Sequence, residues 1–355
     1  MGSDVSTLRS KNYNAVDIAK FIAAFLVMTV HCSPFASYNS EFNLFIISTF
    51  SRFAVPFFFA CSGFFFFKKL KWQDGKIVNC KENRSVLFKY IKRVTALYVL
   101  WSAIYLIWDV FEWYKSGWLS LHAFIDFGIA FVKIGSYYHL WYVISLIYAT
   151  IFGYLLLSFL NKKAVAVLSV VLYLIGILTY SYNWINILPI NILNSTANHL
   201  DVFWTSVFRA FPLIFIGYIA GTYKPKRKVK VDAFLFAISL VFLLVEYFLL
   251  HSFTDNNEKY SYILFTIPCE FYLFRILINT NVNIKANTGK MLRGMSTFIY
   301  CVHPLILGVM GLVYSIDSFN SSLNYLILAV ISVGVSYCAV SLSHKKGCRF
   351  LAYLY

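Results

Sequence analysis

A chain of 355 residues that is 60% hydrophobic and 20% aromatic but only 13% charged has too little polar surface to cover soluble domains, which carry roughly 25% charged residues. Apolar runs of about 20 residues, each long enough to cross ~30 Å of hydrocarbon, recur along it and make it an all-α polytopic integral membrane protein. Its 31 Lys and Arg against 15 Asp and Glu, a formal charge of +16, would suggest a nucleic-acid partner in a soluble protein. Here the placement of those charges implies no nucleic acid.

In chain order, about ten transmembrane helices are predicted, at 15–34, 43–67, 89–110, 138–160, 164–182, 203–222, 232–250, 260–279, 295–314 and 323–343. With the N-terminus inside, the cytoplasmic segments hold 24 of the 31 basic residues, and the outside loops hold only Lys115, Lys133 and Lys259. That asymmetry predicts a multi-pass protein of the cell membrane with both termini cytoplasmic, its basic loops orienting the chain and attracting anionic membrane lipid. The first apolar run carries Asp17, Lys20 and His31 and no small-residue cleavage site, so it is expected to stay as a helix. Segment 118–135, apolar but interrupted by His122, Asp126 and Lys133, reads as an interfacial or re-entrant helix. The seven cysteines form no CxxC and no pair outside, so neither a disulfide framework nor a metal site is expected.

Ionisable groups inside spans cost about 2.5–3.5 kcal/mol each on insertion scales, which makes them functional candidates. His31 lies eleven residues after Lys20, close to three helical turns and about 16 Å of rise, so the two share one face. His31 is either an interfacial histidine satisfied by a neighbour or a general base for a hydroxyl. Asp17 and Lys20 are either a surface pair or part of a cationic site for a phosphate-bearing ligand. Arg52, near mid-membrane in SRFAVPFFFACSGFFFF, must pair or line water, and Pro56 marks a broken helix bordering a cavity. Pairing of Arg52 with Glu270 or Asp17 is the structural alternative. In the run Tyr137 to Tyr142, aromatic-belt anchoring accounts for Tyr137, Tyr138 and Trp141; His139, Trp141 and Tyr142 are also substrate-binding candidates. Ser296, Tyr300 and His303 recur at i, i+4 and i+7 as a polar stripe that would face a polar cavity. The in-span charges Arg209, Glu246, Glu270 and Arg275 have no partners readable from sequence.

Lys20-x10-His31, SRFAVPFFFACSGFFF, YYHLWY, PLIFIGYIAG at 212–221 and STFIYCVHPLI at 296–306 together resemble the membrane-bound acyltransferase family 3. The resemblance extends over essentially the whole chain, as a single membrane domain, 1–355. It implies ten core helices around a central cavity. It also implies transfer of an acetyl or other short acyl group from cytoplasmic acyl-CoA to a hydroxyl of an extracytoplasmic glycan or envelope molecule. By this resemblance His31 is the catalytic histidine and Lys20 the basic member of the R/K-x10-H motif. The family's R-x-x-R motif is matched at Arg93 alone, because Ala96 stands at its second basic position; Lys89, Lys92 and Arg93 would act on phosphates as point charges.

The mechanism this implies places the anionic end of acetyl-CoA, or another acyl-CoA, against Asp17, Lys20, Lys92 and Arg93. The thioester would then pass along a common passage to His31. His303, Tyr300, Ser296, Arg52 or His139 would donate to the developing oxyanion, and no metal is required. The VPFFF-SGFFF and YHLWY segments also look similar to the membrane domain of vancomycin-resistance serine racemases. The alternative reading is therefore a transporter of a small solute such as serine, with Arg52, Glu270 and His303 at mid-membrane. No internal repeat is evident, and the chain ends twelve residues past the last span without a racemase; both favour the stand-alone acyltransferase. The polar and aromatic stretch Asn183 to Asp201 is expected as an outer loop forming the acceptor pocket.

Overall fold

The computed structural model describes residues 12–182, 184–185, 188–222, 228–253, 262–313 and 320–355. It is an all-α polytopic bundle of α1 (Asn14–Cys32), α2 (Ser40–Thr49), α3 (Ala54–Phe67), α4 (Lys81–Ser116), α5 (Leu121–Lys133), α6 (Trp141–Phe159) and α7 (Lys162–Leu178), then α8 (Leu188–Thr205), α9 (Phe211–Thr222), α10 (Val229–Phe253), α11 (Thr266–Asn279), α12 (Ala286–Val313) and α13 (Ser321–Leu342). Side-chain oxygens of Asn39, Ser120, Asn161 and Asn320 accept from the first-turn amides of α2, α5, α7 and α13. These caps satisfy backbone donors that begin each helix without a partner. Asp74 and Gly75, both at positive φ, turn a two-stranded hairpin (Trp72–Gln73 with Lys76–Ile77) between α3 and α4.

Eight helical stretches among the described residues are long and apolar enough to cross a membrane. The other two expected spans, 164–182 and 260–279, are α7 of 17 residues and α11 of 14. The start of α11 has a specific cause. The Glu246 carboxylate of α10 accepts from Leu264 N at 2.7 Å and Phe265 N at 3.0 Å, and from the Tyr182 hydroxyl. A carboxylate at a helix N-terminus is favoured by both the free amides and the helix dipole, so Glu246 sets where α11 begins. At its other end Arg275 Nε meets Asp232 Oδ1 at 3.0 Å, with both side chains almost fully buried. Two of the charges left without partners by the sequence thus join α10 to α11.

The second expected span, 43–67, is interrupted: α2 stops at Thr49, a 3₁₀ turn covers Ser51–Phe53, and α3 starts at Ala54. Pro56 falls in the first turn of α3, where its missing amide hydrogen removes no helical bond, so the break lies before Pro56 and puts Arg52 on the irregular turn. Gly63 of α3 and Gly217 of α9 bring these two helices into backbone contact. A Cβ on Gly63 would lie 1.9 Å from the Ile214 carbonyl oxygen, and one on Gly217 would lie 2.1 Å from that of Ala60. The α3–α9 crossing therefore requires glycine on both sides.

The stretch 183–201, expected as a loop, is helical from Leu188, with Pro189 in the first turn. This helix, α8, is kinked at Asp201, whose φ of 46° and ψ of −118° are non-helical. A five-residue π-helical turn, Ser206–Ala210, joins α8 to α9. Segment 118–135 contains α5, which has no buried residue.

Candidate active site

Where the sequence leads one to expect a central cavity with a common passage, the described residues line two cavities near opposite ends of α1. One, of about 710 Å³, is lined by His31, Arg52, Tyr138, Trp141, Asp201 and Arg209, with Tyr180, Trp204 and Tyr262 completing much of its aromatic wall. The other, of about 450 Å³, is lined by Asp17, Lys20, Lys69, Arg93, Lys290 and Arg293, and by Tyr90, Tyr142, Tyr300 and Tyr355. No residue lines both. The helical arithmetic holds in that Lys20 and His31 both face cavities, but aromatic rings part the two spaces.

That partition is built from residues the sequence marked. The His31 ring stacks on His303 at 5.3 Å between centroids and lies 4.9 Å from Tyr138. His303 meets His139 at 5.6 Å, His139 meets Tyr300 at 5.6 Å, and Tyr300 meets Tyr142 at 5.3 Å. A row of rings thus runs from the His31 cavity to the Lys20 cavity. The Tyr300 hydroxyl donates to the His139 carbonyl at 2.5 Å. His303 Nδ1 lies 3.1 Å from the Ile299 carbonyl oxygen, an acceptor only, which puts the ring proton on Nδ1. Nε2 is left as an acceptor with no partner among the described residues, and neither ring nitrogen of His139 has one.

Pro304, next to His303, interrupts α12, and Tyr105 of α4 repairs the gap. Pro304 has no amide hydrogen for the helical ladder. One residue on, Leu305 N donates to Tyr105 Oη at 3.2 Å, and Tyr105 Oη donates to the Cys301 carbonyl at 2.7 Å. The hydroxyl is inserted between a donor and an acceptor that would otherwise bond each other, which fixes the backbone carrying His303.

The remaining candidates divide clearly. Asp17, 2% exposed, pairs with Arg293 through two bonds of 3.0 and 2.8 Å rather than with Lys20 or Arg52. Lys20 stands in the combined field of Asp17, Arg293 and Arg93. Arg93 lines the Lys20 cavity and its guanidinium lies 3.4 Å from the Tyr355 carbonyl oxygen; Lys92 is exposed and lines neither cavity. Ser296 donates to the Arg293 carbonyl of its own helix at 2.9 Å and reaches neither cavity, so the polar stripe of α12 is divided. Trp141 lines the His31 cavity and Tyr142 the Lys20 cavity, as neighbours on α6 must when they point apart. Glu270 is fully buried, lines neither cavity, and has no hydrogen-bond partner for either oxygen among the described residues.

Sequence reasoning missed Arg293, because it was counted with the basic loop, and Tyr105, which carries no local signal. Arg209 was visible as an in-span charge, but its place opposite His31 depends on the π-helical turn. Chemically, the Lys20 cavity sets five cations (Lys20, Lys69, Arg93, Lys290 and Arg293) against the carboxylate of Asp17, a composition that suits phosphate groups. The His31 cavity joins an imidazole to aromatic faces and two guanidinium groups, a composition that suits a hydroxyl-bearing molecule.

Three curated relatives match nearly the whole chain. A serine/alanine racemase of Enterococcus gallinarum is 28% identical over 330 residues, 90% of this chain and 45% of that protein. Two amino-acid racemases of Enterococcus faecalis are 28% and 26% identical, over 94% and 95% of this chain and 46% and 47% of their own lengths. The chain thus spans about half the length of the curated relatives it matches. No solved structure matches. The family model described as an acyltransferase domain matches residues 13–341, and the chain therefore belongs to the acyltransferase 3 family of membrane proteins.

Proposed function

We propose that this protein is an acyl-CoA-dependent O-acyltransferase. It would take an acetyl or other short acyl group at the Lys20 cavity and deliver it to a hydroxyl in the His31 cavity, on a glycan or envelope molecule outside the cell. The observation that carries this reading is the placement of a phosphate-suited cavity and a histidine-bearing cavity at opposite ends of one helix, parted only by a layer of rings. Both termini would be cytoplasmic, with the Lys20 cavity on the inner side.

Acyl-CoA, when bound, supplies an activated thioester. Lys20, Arg93, Lys290 and Arg293 would hold its phosphates as cations, with Asp17 keeping Arg293 in place. His31 would accept the proton of the attacking hydroxyl. The new carbon–oxygen bond forms as the carbon–sulfur bond breaks, and the proton passes from the imidazole to the departing sulfur. Tyr300 and His303 stand in the partition; the Tyr300 hydroxyl would donate to the transient oxyanion once it leaves the His139 carbonyl, His303 would pack beside it, and the rings of Tyr142, His139 and Tyr300 must shift to admit the thioester. Ser296 would support the turn of α12 beneath them. Purified protein, labelled acetyl-CoA and an envelope extract test this reading: transfer that persists undiminished in His31→Ala would end it.

A second reading is favoured by the same partition and by the racemase relatives. Two cavities closed from each other also suit alternating access by a small solute such as serine. Uptake of labelled serine into proteoliposomes, without any acyl-CoA, would support that reading against the enzyme.

A further inference from the structure

Three in-span or span-end arginines meet different fates. Arg275 has Asp232 at 3.0 Å and Arg293 has Asp17 at 2.8 Å. Arg209 has no carboxylate within ion-pair distance among the described residues, and its Nε has no hydrogen-bond partner there. Its guanidinium carbon instead lies 4.0 Å from the ring centre of Tyr180 and 5.2 Å from that of Tyr262. Aromatic faces attract a cation without neutralising it, and a guanidinium does not lose its proton. A charge kept in this wall is therefore electrostatically incomplete until something brings a negative group to it.

The wall in question is that of the His31 cavity. Arg52 and Asp201 line the same space. Asp201 sits at a φ of 46°, a conformation uncommon for a residue other than glycine, at the kink that precedes the π-helical turn bearing Arg209. Tyr138, Trp141 and Trp204 add flat apolar faces to a volume of about 710 Å³, within the range of small-molecule sites.

Building on the acceptor role given to this cavity, we propose that its ligand is a hydroxyl-bearing anion. Its carboxylate or phosphate is held by the Arg209 fork, with Arg52 adding charge, and its hydroxyl is directed toward His31. Planar bidentate contact is the geometry in which arginine binds either group best.

The test is binding to the purified full-length chain in detergent, read by quenching of tryptophan fluorescence, with glycolate, glycerol 3-phosphate and neutral glycerol as probes. At least one anion should bind about tenfold or more tightly than glycerol, as a charge-assisted contact provides. The stronger of the two identifies carboxylate or phosphate. Arg209→Gln should remove the preference and Arg209→Lys should keep part of it. Three results would overturn the proposal: glycerol binding as tightly as both anions, no saturable binding of either anion, or an anion preference unchanged in Arg209→Gln. These measurements need no acyl donor. Transfer from labelled acetyl-CoA, assayed in parallel, reports on the catalytic reading separately.

Discussion

The cavities at the two ends of α1 handle charge in opposite ways. At the Lys20 end, Lys69, Arg93 and Lys290 are exposed, so under the proposed function their pull on a ligand would be additive, tolerant of geometry and screened by salt. At the His31 end, Arg209 is held between tyrosine rings and His31 against His303, so position is fixed and each group matters individually. Recruitment by several loose cations and selection by a few fixed groups are different tasks, and under the proposed function one bundle would hold both because a ring partition keeps them apart.

The contrast is broken most directly at His31. His31→Ala should lower kcat for acyl transfer by about 10²–10⁴-fold and leave the acyl-CoA KM unchanged, as measured with labelled acetyl-CoA; a comparable rise in that KM would merge the two sites. Next in size, Gly217→Val should destabilise the α3–α9 crossing by ~3 kcal/mol, seen as a lower melting temperature in detergent and affecting both cavities together. Lys20→Ala should raise the acyl-CoA KM about tenfold without changing the acceptor KM. That KM should also rise with ionic strength, whereas the acceptor term should respond less. The smallest effect belongs to Tyr105→Phe, which removes the hydroxyl bridging Leu305 N and the Cys301 carbonyl and should reduce stability by about 1 kcal/mol, with kcat falling more than either KM because the backbone carrying His303 must readjust.

Hydropathy located several helices well: the expected 15–34, 138–160 and 323–343 are observed as Asn14–Cys32, Trp141–Phe159 and Ser321–Leu342. It failed where helical turns are polar. α12 begins at Ala286 and not at 295 because its first turns carry Asn287, Lys290 and Arg293, which no apolar window detects. For the same reason α8 was read as a loop. The row formed by His31, His139, Tyr300 and His303 was legible only as separate titratable or phenolic groups, on α1, on the turn before α6 and on α12, and spacing on α1 placed Lys20 and His31 on one face. What spacing cannot supply is the arrangement across helices: that Asp17 takes Arg293, that Ser296 turns to its own backbone, that Lys92 faces away, or that rings close the space between two hollows.

The closure has a consequence for the membrane itself. A water-filled bore through the bundle would let ions run down the electrical gradient, which is worth ~2.3 kcal/mol per elementary charge at 100 mV. Stacked imidazole and phenol rings, with the Tyr300 hydroxyl committed to the His139 carbonyl, stand between the two hollows among the described residues; under the proposed transfer they would act as an insulating diaphragm that a flexible acyl chain passes by displacing a ring.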